Sequence, residues 1–224
     1  TCGDGRTTTL VDALTISCNT AFAQLGLDLG QERLRAQAEA FGLNATVDGF
    51  PLPQATSVFP RQLRRDELAQ SAIGQRDVRV TPLQMAMVAG AIGNGGRLMK
   101  PFLVRDLLGP DLKSIGRTAL EQLGRPLSGE VAAQLTTMMD SVVARGTGTG
   151  AQIPNVTVAG KTGTAEHAVG QPPHAWFIGF APAESPRVAV AVVVEDGGGE
   201  LSATGGAVAA PVAQQVMAAA LGGR

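Results

Sequence analysis

The chain has 224 residues, 44% of them hydrophobic, with 18 basic and 19 acidic side chains and a formal net charge of −1. A near-neutral chain without a basic stripe argues against nucleic acid as a partner. Its longest strictly aliphatic run, residues 188–194, is too short to span a bilayer. The length allows one large domain or two small ones, and an alanine-rich apolar fraction supports a sizeable core of closely packed helices.

Thr7, Thr8 and Thr9 offer caps for a helix. Leu10, Leu14, Ala21, Phe22 and Leu25 then recur at helical spacing. Ser17, Cys18 and Asn19 interrupt that face with residues that favour caps and turns. The segment reads as two short helices meeting at residues 17–19; one continuous helix with Ser17 and Asn19 on its wet face fits the local pattern equally. Residues 31–41 predict a further helix, stopped by Gly42. Residues 43–65, with Pro51, Pro53 and Pro60, read as a long loop, and residues 66–73 as a short helix. Thr81-Pro82 is a cap followed by proline at the first helical position, and the helix runs to Gly93. Residues 97–107 read as extended, and residues 110–126 are ambiguous. Ser128 caps a helix with Val131, Leu135, Met138 and Val142 on one face, ended by Gly146.

Arg145-Gly146-Thr147-Gly148-Thr149-Gly150 is rich in glycine but lacks the Gly-Lys-Ser/Thr ending of a phosphate loop, which excludes nucleotide binding. Three strands follow, at 156–164, 175–180 and 187–195, joined by short connections that suggest an antiparallel meander. Residues 187–195 are apolar on both faces and read as the central strand. A helix near 205–221 covers one face. Sheet plus flanking helices predicts a layered α/β or α+β domain.

The chemistry concentrates in Gly160-Lys161-Thr162-Gly163-Thr164. Only three lysines, Lys100, Lys113 and Lys161, stand against fifteen arginines, so lysine is kept where a compact, tunable ammonium is needed. Thr162 and Thr164 lie two apart, so on a strand their hydroxyls share a face, with Lys161 pointing the other way. Gly160 and Gly163 let another backbone or a ligand come close. A cation, two hydroxyls and an edge able to pair with an extended peptide suit a substrate ending in a carboxylate. His167 and His174 flank a Gly-Gln-Pro-Pro turn and read as solvated loop residues. Cys2 and Cys18 are either two buried thiols or one bridge.

Three stretches in this order resemble the transpeptidase domain of penicillin-binding proteins, the class B group and the actinobacterial penicillin-binding protein A subgroup in particular. They are Ser17-Cys18-Asn19, matching Ser-x-Asn; the run from Ala72-Ile73-Gly74-Gln75 through Thr81-Pro82-Leu83-Gln84-Met85-Ala86 to Asn94-Gly95-Gly96; and Gly160-Lys161-Thr162-Gly163-Thr164-Ala165, preceded by the Gly146–Gly148 loop. The resemblance covers nearly the whole chain and implies a penicillin-binding/β-lactamase-like transpeptidase fold, in part. The departure is decisive: no serine is followed three positions later by lysine. The resemblance therefore implies that residues 1–224 are the C-terminal portion of one transpeptidase domain, with the nucleophile upstream of residue 1. The opening Thr1-Cys2-Gly3-Asp4 also reads as the interior of a protein.

The implied activity is D,D-transpeptidation of D-Ala-D-Ala stem peptides of peptidoglycan through an acyl-serine, with β-lactams as mimics. A non-catalytic penicillin-recognising sensor or scaffold, and a carboxypeptidase- or β-lactamase-type hydrolase, are the alternatives. By resemblance Ser17 relays a proton, Asn19 holds a substrate amide or the missing lysine, and Lys161 supplies positive potential. Thr162, Gly163 and Thr164 bind substrate, with the Thr164 N–H one oxyanion donor. No cofactor and no metal are implied. The implied partners are stem peptides, β-lactams, the upstream part of the domain, and cell-division or elongation proteins. The implied location is extracytoplasmic, anchored by an N-terminal helix outside this chain. A Cys2–Cys18 disulfide is expected on the same ground.

Overall fold

The computed structural model describes residue 2 and residues 8–223; the caps expected of Thr7 and the setting of Thr1, Gly3 and Asp4 lie outside them. Up to residue 94 the described chain is mostly helical. Helix α1 (Leu10–Thr15) is capped by Thr9, whose hydroxyl accepts the Asp12 N–H. Helices α2 (Asn19–Leu29) and α3 (Gln31–Ala40) follow, split at Gly30, and α4 is Arg65–Ser71. Helix α5 (Pro82–Gly93) starts where Thr81 Oγ1 accepts the Gln84 N–H at 3.1 Å and Pro82 occupies a position that needs no N–H. The intervening loop is tied down by an isolated antiparallel bridge between Val58 and Arg79.

The segment expected to be extended, and the ambiguous one after it, form two small antiparallel ribbons. Strand β1 (Leu98–Met99) pairs with β4 (Gln122–Gly124), and β2 (Asp106–Leu108) pairs with β3 (Ser114–Arg117). Ser128 then caps α6 (Gly129–Arg145), its hydroxyl accepting the Val131 N–H.

The main sheet is an antiparallel meander of β5 (Ala159–Ala165), β6 (His174–Ala181) and β7 (Val188–Val194), in the order β5-β6-β7. The first strand starts three residues later than the alternation at 156–158 suggests, because Ile153 and Val156 close a tight bridged turn around Asn155. The sequence also misplaces the central strand. Among the described residues β6 lies in the middle and β7 has one unpaired edge. The apolar character of β7 reflects layers rather than neighbours: helices cover both of its faces.

On one face, Phe177, Val190 and Ala175 pack against Ala210, Ala213 and Met217 of α7 (Ala210–Gly222), which a π-helical turn (Gly205–Ala209) introduces. On the other, Phe180 and Ala159 pack against Ala89 and Ile92 of α5 and Met139 of α6. Phe177 and Phe180 are fully buried, one on each side of the sheet. Truncating either to alanine costs about 3–5 kcal/mol. This helix–sheet–helix sandwich holds β5 with its far edge free of any strand partner among the described residues, and that edge faces the site.

Candidate active site

The joint between α1 and α2 is built by a specific helix ending. The Cys18 N–H donates to Ala13 O at 2.8 Å and the Ser17 N–H to Leu14 O at 3.1 Å. That pair of bonds, with Ser17 at φ 55°, is a Schellman turn. Its usual apolar contact is present too: Cys18 and Ala13 are buried together with Cys2. Glycine normally takes the left-handed position, because a Cβ there costs about 1–2 kcal/mol. Here the position carries Ser17, so the strain buys a hydroxyl aimed at the sheet. Cys2 and Cys18 are disulfide-bonded, with Cα atoms 5.8 Å apart, which fastens the joint from behind.

Lys161 reaches this hydroxyl from β5. Its Nζ donates to Ser17 Oγ at 2.7 Å and to Thr162 O at 2.8 Å. Burial pulls the Lys161 ammonium down to about 8, since removal from water penalises its charged form. On β5, Lys161 sits opposite Ile178, whereas Thr162 and Thr164 sit opposite Phe177 and Ala175. The lysine and the two threonines thus leave opposite faces, as alternation requires. They still line one cavity of about 700 Å³, shared with Ser17, Asn19 and Gly163, because it wraps the free edge of the strand. Asn19 is exposed at the start of α2.

The glycines of β5 act differently from expectation. A Cβ on Gly160 would run into the Phe177 ring, and one on Gly163 would meet Trp176 Cβ at 3.1 Å. Their missing side chains admit neighbours on β6, not a ligand. The close backbone approach is instead at Gly205, where a Cβ would strike Trp176 O and both backbone polar atoms of Gly163. The Gly205 N–H donates to Thr164 Oγ1 at 3.4 Å, fixing that hydroxyl from the α7 side.

Two contributors had no role in the sequence reading. The Thr147 hydroxyl is 2.7 Å from Thr162 Oγ1, and its N–H donates to Thr15 O at 3.2 Å, linking β5 to α1. Its sequence signal was the glycine-rich run, excluded as a phosphate loop and otherwise noted only as the Gly146–Gly148 loop of the family resemblance. The Gln75 amide donates to Thr164 O at 2.9 Å, occupying a carbonyl on the open edge of β5. Ile73-Gly74-Gln75 supported the family resemblance but gave no hint of this contact.

Comparison with known proteins places the chain in a family. The penicillin binding protein transpeptidase domain matches residues 2–218. The chain belongs to that family. Among curated relatives, the peptidoglycan D,D-transpeptidase PbpA of Mycolicibacterium smegmatis is 51% identical over 223 residues, 98% of this chain and 45% of that protein. PbpA of Mycobacterium tuberculosis H37Rv is 48% identical over 225 residues, 99% of this chain and 46% of its own length. The transpeptidase domain chain therefore spans less than half the length of these relatives. A solved structure of penicillin-binding protein A from M. tuberculosis, a ceftriaxone acyl-enzyme complex, is similar with a TM-score of 0.93 at 48% identity. It matches 98% of this chain and 50% of that one. A transpeptidase domain from Eggerthella lenta follows with a TM-score of 0.84 at 37% identity, over 99% of this chain and 55% of that one.

Proposed function

We propose that this chain is the C-terminal portion of a peptidoglycan D,D-transpeptidase domain, carrying the relay, the carboxylate pocket and half of the oxyanion hole. The observation that carries the reading is the 2.7 Å contact from Lys161 Nζ to Ser17 Oγ at the wall of the cavity. The mycobacterial relatives named D,D-transpeptidases and the β-lactam acyl-enzyme structure support it.

In the intact protein a serine from a Ser-x-x-Lys segment outside these 224 residues attacks the penultimate D-alanine carbonyl. No serine–lysine pair at that spacing exists within the chain. A nearby base takes the hydroxyl proton, since a hydroxyl is a weak nucleophile near neutral pH. The C–N bond then breaks and D-alanine leaves, its nitrogen receiving a proton through Ser17. An amine of a neighbouring stem peptide attacks the acyl-serine and restores the hydroxyl. Lys161 holds Ser17 in place and supplies positive potential, and Asn19 holds a substrate amide. Thr162 and Thr164 bind the terminal carboxylate, with Gly163 between them. The Thr164 N–H stabilises the oxyanion, a role worth about 10²–10³ in rate. β-Lactams enter as mimics of the same dipeptide.

The disulfide supports an extracytoplasmic location. Among the described residues no helix is long and apolar enough to cross a membrane; the anchoring helix belongs to the proposal by family resemblance. Such an enzyme serves wall growth in division or elongation and works beside proteins of those processes.

The test compares this chain with the full-length protein, each incubated with a fluorescent penicillin and measured by intact mass. The full-length protein gains one β-lactam mass and the chain alone gains none. A stoichiometric adduct on Ser17 of the chain alone overturns the role assignment.

A further inference from the structure

Two groups of polar side chains flank β5 away from the Ser17–Lys161 contact, and they differ in what they leave free. The first is engaged largely with itself. His174, read from the sequence as a loop residue, opens β6 and stacks on His167 with centroids 4.1 Å apart and planes 3° from parallel. Asp196, on the turn after β7, has its Oδ1 3.1 Å from His167 Nε2 and gives its N–H to His174 Nδ1 at 3.0 Å.

The second is the Thr147–Thr162 pair, whose hydroxyls are 2.7 Å apart at the wall of the 700 Å³ cavity. Two hydroxyls hold two protons and spend one between them, whichever oxygen donates. One O–H of the pair is therefore left for a ligand. Thr164 makes a similar offer, since its oxygen accepts the Gly205 N–H at 3.4 Å and that bond leaves its own proton unspent. The Lys161 ammonium lines the same cavity. Two O–H donors and a cation match a carboxylate, which only accepts.

The backbone, not the hydroxyl, holds Thr147 in place. Its N–H donates to Thr15 O at 3.2 Å. A Cβ on Gly146 would strike Thr15 O, and one on Gly206 would strike Thr147 O. Helix α1 and the turn before α7 thus clamp the loop from two sides and leave the hydroxyl for Thr162, as a preorganised support requires.

We propose that Thr147 is a positioning residue of the carboxylate pocket, whose hydroxyl fixes the Thr162 rotor and so sharpens selection for substrates with a free terminal carboxylate. This rests on the transpeptidase reading above, in which Thr162 binds that group. An anion draws the Thr162 proton outward, which makes Thr147 the donor within the pair. Hydrogen bonds in such a chain polarise one another, so the donor facing the anion is strengthened. A neutral ester gains less from that donor, because bonds to charged acceptors are about twice as strong.

The experiment uses the full-length protein and measures acylation by benzylpenicillin and by its methyl ester, each in competition with a fluorescent penicillin. The readout is the ratio of the two rates. Thr147 is exposed, and Thr147→Val keeps its shape while removing the hydroxyl. The ratio falls about 2–10-fold, the worth of one neutral hydrogen bond. Thr147→Ala gives the same fall, Thr147→Ser restores the ratio, and melting temperatures verify that each variant is folded. In a Thr162→Val background Thr147→Val adds nothing, because the rotor it fixes is gone. A ratio unchanged in folded Thr147→Val, a loss that Thr147→Ser fails to restore, or a fully additive loss in the double variant overturns the proposal. A ratio unchanged in Thr162→Val alone overturns the carboxylate pocket itself, and this role with it.

Discussion

Lys161→Met separates what the buried ammonium does for folding from what it does for acylation. Lowering its pKa from 10.5 to about 8 corresponds to ~3 kcal/mol for keeping the charge at neutral pH, at 1.36 kcal/mol per unit. Against this stand two charge-assisted hydrogen bonds, to Ser17 Oγ and Thr162 O, each worth about 1.5–3 kcal/mol. The variant at pH 7 should therefore be less stable by no more than ~3 kcal/mol. Acylation by penicillin should fall about 10–100-fold, the rate equivalent of one lost charge-assisted contact. The pH dependence is sharper. Between pH about 8 and 10.5 the unfolded chain holds a proton on Lys161 that the folded chain has released. Stability then rises with pH, and the penalty is fully present only below that window. The difference between wild type and variant cancels the titration of every group the two proteins share, which leaves Lys161. Urea unfolding of the full-length protein and the variant from pH 7 to 10.5 should show wild type gaining up to ~3 kcal/mol relative to Lys161→Met. Parallel curves would refute the burial argument, and wild-type acylation in the variant would refute the role in the site.

Gln75→Ala frees the Thr164 carbonyl, now held at 2.9 Å. If an acyl donor pairs with this strand edge, acylation should speed up by roughly 2–10-fold, the worth of one neutral hydrogen bond; stopped-flow acylation slower than wild type would show that Gln75 assists binding instead. Gly205→Ala drives a Cβ into the backbone of Gly163 and Trp176, and overpacking of that kind costs about 1–3 kcal/mol. A thermal melt should drop by several degrees, and β-lactam binding should weaken with it; an unshifted melt shows that the turn yields without cost.

Much of this architecture was legible because local chemistry dictates it. The Thr81-Pro82 and Ser128 caps and the polar interruption at Ser17–Asn19 are short-range signals, and the structure uses each. The three strands of the sheet also announced themselves. The position of β7 did not, because a strand covered by α5 and α7 looks the same in sequence whether its edge is paired or open. The small ribbons escaped because β2 and β3 are short, exposed and irregular in register. Within the site, Lys161 and the two threonines stood out by residue type. Gln75, Thr147 and Gly205 act through backbone atoms or single long-range hydrogen bonds, which leave no periodicity. The His167–His174–Asp196 cluster depends on a hairpin and a distant turn meeting, and no spacing rule captures that.

The contact at the centre of the site joins residues 144 positions apart. A chain made from its N-terminus exposes Ser17 long before Lys161 is synthesised, and the Gly205 turn that fixes Thr164 comes later still. Until then the left-handed serine has only its two local helix-end bonds and the Cys2–Cys18 cystine to hold it. The cystine therefore works as a placeholder during assembly: closing a short loop, with its ends 16 positions apart, costs little entropy. It keeps the joint in its final shape, so the arriving strand docks onto a finished surface instead of having to order one.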